Sequence, residues 1–129
     1  MSQASANLNI MIKAARRASR GLLRDFGEVE NLQVSSKAAG DFVSKADIKA
    51  EEIIYEELSE ARPNYGWIGE ESEEKKGRDP TRRWIVDPLD GTSNFLHGIP
   101  HWAISIGLEF KKEIIAGVIY DPIKDEMFT

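Results

Sequence analysis

Apolar positions along this chain follow a helical period first and a strand-like texture later. From Asn7, the residues Leu8, Met11, Ile12, Ala15, Ala18, Leu22, Leu23 and Phe26 recur at three- and four-residue spacing, which predicts a first helix that Gly27 would stop. A second helical pattern, carried by Ala46, Ala50, Ile53, Ile54, Tyr55 and Leu58, predicts a helix from about Ser44 to Ala61, ahead of Pro63. Ser44 with Asp47 three residues on reads as a weak capping box. Between the two helices, Leu32 to Lys37 reads as a short strand and Ala38–Asp41 as a turn. Beyond Pro63 come short β-rich runs at Tyr65–Ile68, Arg83–Val86, Trp102–Phe110 and Ile114–Tyr120. The link Lys111-Lys112-Glu113 is too short to cross over to a parallel neighbour, so the last two runs are expected to form an antiparallel hairpin. Two helices followed by such strands predict an α+β fold, paired helices packed on an antiparallel sheet.

Between Glu70 and Arg83, charged and turn-forming residues predict an exposed, mobile loop. The chain closes on Asp125–Thr129, a turn leading into a further strand, and this ending suggests truncation. Its 129 residues and 41% hydrophobic content suit one domain with one core. A formal charge of -5 provides no global field for nucleic acid or an anionic membrane. Lys13, Arg16, Arg17, Arg20 and Arg24 form the one local basic patch, and their spacing places them along the solvated face of the first helix. Cysteine is absent, which excludes a disulfide framework, a thiolate nucleophile and sulfur-ligated metal. No basic n-region with an apolar h-region opens the chain and no stretch has the length of a membrane span, so a cytoplasmic location is the expectation.

Chemistry concentrates after two β-like runs. Asp87-Pro88-Leu89-Asp90-Gly91-Thr92 follows directly on Trp84-Ile85-Val86, so two carboxylates project from the mouth of a strand. Pro88 stiffens the turn, Gly91 admits a close backbone approach, and the Leu89 carbonyl becomes available as an oxygen donor. Thr92-Ser93-Asn94 reads as a helix or turn start whose N–H groups suit a phosphate. The second acidic element, Gly69-Glu70-Glu71-Ser72, also follows a β-like run. Were Glu70, Asp87 and Asp90 to converge, carboxylates about 5 Å apart would repel by roughly 3 kcal/mol per pair at an effective dielectric of 20, and a divalent cation would relieve that. Oxygen-only ligation favours Mg²⁺ or Mn²⁺ over zinc. Either element alone is more often a plain turn or a solvated surface; it is their joint occurrence that points to a site. His97 and His101 lack metal-binding spacing and read as loop hydrogen-bonding residues. Trp67, Trp84 and Trp102 read as core. By residue type alone, Asp47 is a helix cap or dipole partner and Lys37 a surface residue.

Residues 84 to 100, Trp-Ile-Val-Asp-Pro-Leu-Asp-Gly-Thr-Ser-Asn-Phe-Leu-His-Gly-Ile-Pro, resemble the first signature of the inositol monophosphatase family. Trp67–Ser72, Asp41–Asp47 (with Ser44 where many relatives have threonine) and Ser105–Leu108 resemble the family in the same order. The resemblance implies the first half of the layered α/β sandwich of inositol monophosphatases and fructose-1,6-bisphosphatases: residues 1–129 as a metal- and phosphate-binding domain, with the C-terminal domain and its Trp-Asp-x-Ala-Ala-Gly signature absent. It implies that Glu70, Asp87 and the Leu89 carbonyl hold one ion and Asp87 with Asp90 a second. Gly91 and Thr92 would contact phosphate through backbone N–H groups, and Lys37 would lie near that site. Catalysis would fall to Glu70, Thr92 and Asp47: metal-bound water, oriented by Glu70 and the Thr92 hydroxyl, attacks phosphorus directly, with Asp47 bonded to that threonine.

The activity so implied is Mg²⁺-dependent hydrolysis of inositol 1-phosphate or a related sugar or polyol phosphate in the complete, homodimeric protein. It would use two or three ions, with Mn²⁺ as a substitute and Li⁺ as an inhibitor, and this fragment alone is expected to be inactive. The resemblance leaves two alternatives: a fructose-1,6-bisphosphatase or nucleotide 3'-phosphatase specificity, and a scaffold role with RNA or the transcription machinery.

Overall fold

The computed structural model describes residues 3–29, 31 and 36–129. Two long helices, α1 (Gln3–Val29) and α2 (Ser36–Ala61), precede β1 (Gly66–Gly69), β2 (Arg82–Asp90), a short α3 (Thr92–Leu96), β3 (Ala103–Phe110), β4 (Glu113–Asp121) and β5 (Glu126–Phe128). The five strands form one sheet in chain order. One core joins the two layers: Met11, Ala14, Ala15, Ala18 and Leu22 of α1 and Ala46, Ala50, Ile54 and Leu58 of α2 meet Trp84, Val86, Ile104, Ile106, Leu108 and Val118 of the sheet. The alanines let the helices approach closely, while alternate strand residues supply the bulk. All three tryptophans are buried, as expected of core residues.

Both helices outrun their sequence signals. Gly27 lies inside α1, and Ala38–Asp41, read as a turn, is the opening of α2. Ser44 and Asp47 are therefore mid-helix and form no capping box. Tertiary burial of Ala39 and Val43 extends the helix where local propensity was weak. Of the expected strand at 32–37, residues 32–35 lie outside the described residues and Lys37 is helical.

The hairpin is as expected: β3 and β4 pair antiparallel through Lys111 and Lys112, both with positive φ (49° and 70°), the backbone of a two-residue type I′ turn. The sheet differs from a purely antiparallel one in a single respect. β1 pairs parallel to β2, with Trp67 opposite Trp84 and Gly69 opposite Val86. The crossover is the charged segment 70–81, which is exposed yet tied down: Trp67 and Lys75 exchange backbone bonds of 2.8 Å, and Trp67 Nε1 donates to Ser72 Oγ. The basic patch of α1 is a solvated face with local partners, Arg17 reaching Glu57 and Glu56 of α2 at 3.1 and 3.3 Å. Such exposed pairs contribute about 1 kcal/mol or less each.

The sheet face away from the helices presents Ile114, Ile115, Ile119 and Phe128, each at least half exposed. Phe95 is fully buried, its ring 5.3 Å from that of Phe26 and 5.0 Å from that of Trp102, and it pins α3 to the body. Phe95→Ala is expected to cost about 3–5 kcal/mol of stability, measured by urea unfolding; a loss under about 1 kcal/mol would mean that α3 is held elsewhere.

Candidate metal and phosphate site

The parallel pairing of β1 and β2 creates the site. Gly69 and Val86 are the last paired residues, so Glu70 and Asp87 leave adjacent strands at the same end, with backbones about 5 Å apart. An antiparallel partner would have sent them to opposite ends of the sheet. Pro88 then breaks the alternation of β2: Pro88 and Leu89 are both buried, and the register with β3 shifts between Asp87 and Asp90. The shift presents Asp90 at the surface beside half-buried Asp87.

Backbone bonds hold this corner. The Leu89 N–H donates to Asp87 Oδ1 at 3.2 Å, and the Thr92 hydroxyl donates to the Leu89 carbonyl at 3.1 Å. Gly91 adopts φ 96°, and a Cβ there would stand 2.9 Å from the His101 carbonyl oxygen, so both conformation and space require glycine. α3 starts at once, with the Phe95 N–H returning to Gly91 O at 3.0 Å. The first N–H groups of any helix lack intrahelical acceptors and favour an anion. A shallow hollow of about 370 Å³ adjoins them, lined in part by Asp90, Gly91, Asn94 and Asp121. His97 Nδ1 lies 2.8 Å from Ser93 O and the His101 carbonyl accepts from Asn94, so both histidines serve the loop, as their spacing suggested.

Asp47 joins from α2. Its carboxyl is buried, and its Oδ1 has no hydrogen-bond partner. Burial, then hydrogen bonding and charge from Glu71, then the charges of Asp87 and Glu51 raise its pKa to about 8. Asp87 is also pushed up, by burial and by the charges of Asp90, Glu70 and Glu71, against the lowering effect of the Leu89 N–H. Glu70, Glu71, Asp87, Asp90 and Asp47 therefore share one electrostatic neighbourhood. Here the Thr92 hydroxyl is committed to Leu89 and Asp47 faces Glu71. Lys37 stands apart, exposed in the first turn of α2 and about 15 Å along the helix axis from Asp47.

Among the described residues, no three His, Asp or Glu side chains converge closely enough to cage a metal ion. The donor chemistry nonetheless suits a hard divalent cation: every candidate atom is oxygen, neighbouring carboxylates help raise the pKa values of Asp47 and Asp87, and one buried carboxylate oxygen lacks a partner. Glu51 was not singled out by its residue type. It lies one helical turn after Asp47, is 4% exposed, and accepts the Glu71 N–H at 3.0 Å. The one available signal was two acids four residues apart, both adjoining the apolar stripe of α2.

The raised Asp47 pKa has a sign that can be tested. Its carboxyl normally titrates near 3.8, so between about pH 4 and pH 8 the folded chain holds a proton that the unfolded chain has lost. Stability should therefore fall as pH rises through this window and level off above it. Half-buried Asp79 and exposed Asp125 have lowered pKa values and change stability in the opposite sense, but below the window. Urea midpoints measured without divalent cations should decline from pH 4.5 to pH 8; a midpoint that rose steadily across that range would contradict the raised pKa of the buried Asp47 carboxyl.

The sequence profile of the inositol monophosphatase family matches residues 4–129. An inositol-1-monophosphatase of Rhizobium meliloti (strain 1021) is 61% identical over 125 residues, covering 97% of this chain and 47% of that protein. A Nus factor SuhB of Xylella fastidiosa is 45% identical and covers 95% of this chain and 44% of that protein. In three dimensions, the extragenic suppressor protein suhB of Bartonella henselae superposes with a TM-score of 0.84 at 61% identity, over 95% of this chain and 48% of that one. The chain thus spans about half the length of the relatives it matches. With its signature residues gathered at one sheet end and the family profile matched almost throughout, the chain belongs to the inositol monophosphatase family.

Proposed function

We propose that this chain supplies the metal- and phosphate-binding half of a Mg²⁺-dependent phosphomonoesterase acting on inositol 1-phosphate or a related sugar or polyol phosphate. The observation that carries the reading is the emergence of Glu70 and Asp87 from adjacent parallel strands, with Asp90 and the Gly91 turn directly after them. Magnesium bound there would acidify an attacking water and offset the charge of the phosphate and of the leaving oxygen. Glu70, Asp87, Asp90 and the Leu89 carbonyl are the residues to hold it. Gly91 and Thr92 present N–H groups to the phosphate, Thr92 and Asp47 set the geometry of attack, and Lys37 needs a change in the start of α2 to take part.

The experiment is phosphate release from inositol 1-phosphate by a chain of full family length, in Mg²⁺ and in EDTA, beside fructose 1,6-bisphosphate and a nucleoside 3'-phosphate. Activity restricted to the first substrate and abolished by EDTA supports the reading; undiminished activity in EDTA contradicts it. Residues 1–129 alone are expected to be inactive, because further ligands and the substrate's hydroxyl-binding groups are assigned to the other half.

The relatives named Nus factor favour a second reading, a scaffold for RNA or the transcription machinery. Partner capture with Asp90→Asn separates the two: a scaffold keeps its partners when turnover is lost.

A further inference from the structure

We infer that Glu51 is a positioning residue for the acidic corner after β1, fixing where Glu70 and Glu71 stand relative to Asp87. Glu51 is 4% exposed and, among the described residues, has no ion-pair partner. A buried carboxylate without a cation is costly unless its oxygens accept hydrogen bonds. This one accepts the backbone N–H of Glu71 at 3.0 Å, a charge-assisted bond from α2 to the first residues of the crossover.

Gly69 makes room for it. A Cβ built on Gly69 would lie 2.6 Å from Glu51 Cδ and 2.9 Å from its Oε2, so the carboxylate fills the space a side chain would take. The two residues form a socket: the last residue of β1 gives up its side chain, and Glu51 enters to hold the amide two residues on. Glu70 lies between these two points of attachment, and the Trp67–Lys75 bridge with the Ser72 bond fixes the far side of the corner. Freed from Glu51, the Glu70–Glu71 peptide could rotate and carry the Glu70 carboxylate away from Asp87. The role is that of an outer partner, acting through the backbone and not through contact with cation or phosphate.

The inference rests on the reading of Glu70 and Asp87 as cation-holding groups, and three variants in a chain of full family length test it: Glu51→Ala, Glu51→Gln and Gly69→Ala. Two readouts are used, hydrogen exchange of the Glu71 amide without metal and Mn²⁺ affinity from the electron paramagnetic resonance signal of free Mn²⁺. Glu51→Gln keeps an acceptor oxygen and should stay within about threefold of wild type in both. Glu51→Ala removes the acceptor and Gly69→Ala displaces it, so each should speed exchange at Glu71 at least tenfold and weaken Mn²⁺ binding about 10- to 100-fold. Should Glu51→Ala fail to fold by circular dichroism, Gly69→Ala carries the comparison, since it leaves the carboxylate in the chain. Unchanged Mn²⁺ affinity in folded Glu51→Ala or Gly69→Ala would overturn the inference. So would a Glu51→Gln variant as weak as Glu51→Ala, which would make the negative charge, and not the held amide, the operative property. If wild type binds no Mn²⁺, the cation reading of the corner fails and the inference with it, while the Glu71 exchange rates separately decide whether Glu51 anchors the loop.

Discussion

Asp87→Asn in a chain of full family length should lower Mg²⁺-dependent phosphate release at least about 100-fold, while making the metal-free protein harder to unfold at pH 8. The first effect follows because even the loss of an outer partner of a metal ligand costs 10- to 100-fold, and Asp87 is assigned to both ions. The second follows from its pKa. Burial and the charges of Asp90, Glu70 and Glu71 raise the Asp87 pKa, so its ionised form destabilises the fold at high pH. Asparagine removes the charge yet keeps an oxygen for the Leu89 N–H, which donates to Asp87 Oδ1 at 3.2 Å. Opposite shifts in activity and in urea midpoint would mark a functional carboxylate held against its own stability. A parallel loss of both would make Asp87 an ordinary structural residue.

Thr92→Ala should lower kcat by about 100-fold or more with little change in KM, the pattern of a group that positions the reaction. Thr92 is exposed at the start of α3, and its hydroxyl donates to the Leu89 carbonyl at 3.1 Å, so it ties a candidate ligand oxygen to the phosphate-facing turn. Phosphate itself would be held by backbone N–H groups that alanine retains. Thr92→Ser keeps the hydroxyl and should recover most of kcat. A risen KM with unchanged kcat would make Thr92 a binding residue.

Much of the fold could be read from periodicity. The apolar stripe from Leu8 to Phe26 identified α1, and the short Lys111–Lys112 link identified the β3–β4 hairpin, because both are local signals. The start of α2 was not local: Ala38–Asp41 has turn chemistry, and its helical state depends on burial of Ala39 and Val43 against the core. The parallel pairing of β1 and β2 was equally hidden, since strand composition does not encode direction and the crossover between them contains no helix.

The site divided along the same line. Asp87, Asp90 and Gly91 were legible because Pro and Gly punctuate a run that leaves a strand. Asp47 and Lys37 came from family resemblance alone, and of the two only Asp47 lies in the acidic neighbourhood. Glu51 is hidden because a buried acid on a helix looks, by residue type, like a solvated one; the space left by Gly69 and the bond from the Glu71 N–H reveal its place.

Glu70, Asp87 and Asp90 are proposed to attract a divalent cation together at the paired ends of β1 and β2. This is tested most directly by titrating the 129-residue chain with Mn²⁺ and following paramagnetic broadening of its backbone amide resonances. The amides of Glu70, Glu71, Asp87 and Leu89–Thr92 should broaden first and together, at a Mn²⁺ concentration that leaves the Glu56–Glu57 region sharp. Broadening spread evenly over the acidic surface, or centred on Glu73–Asp79, would contradict it.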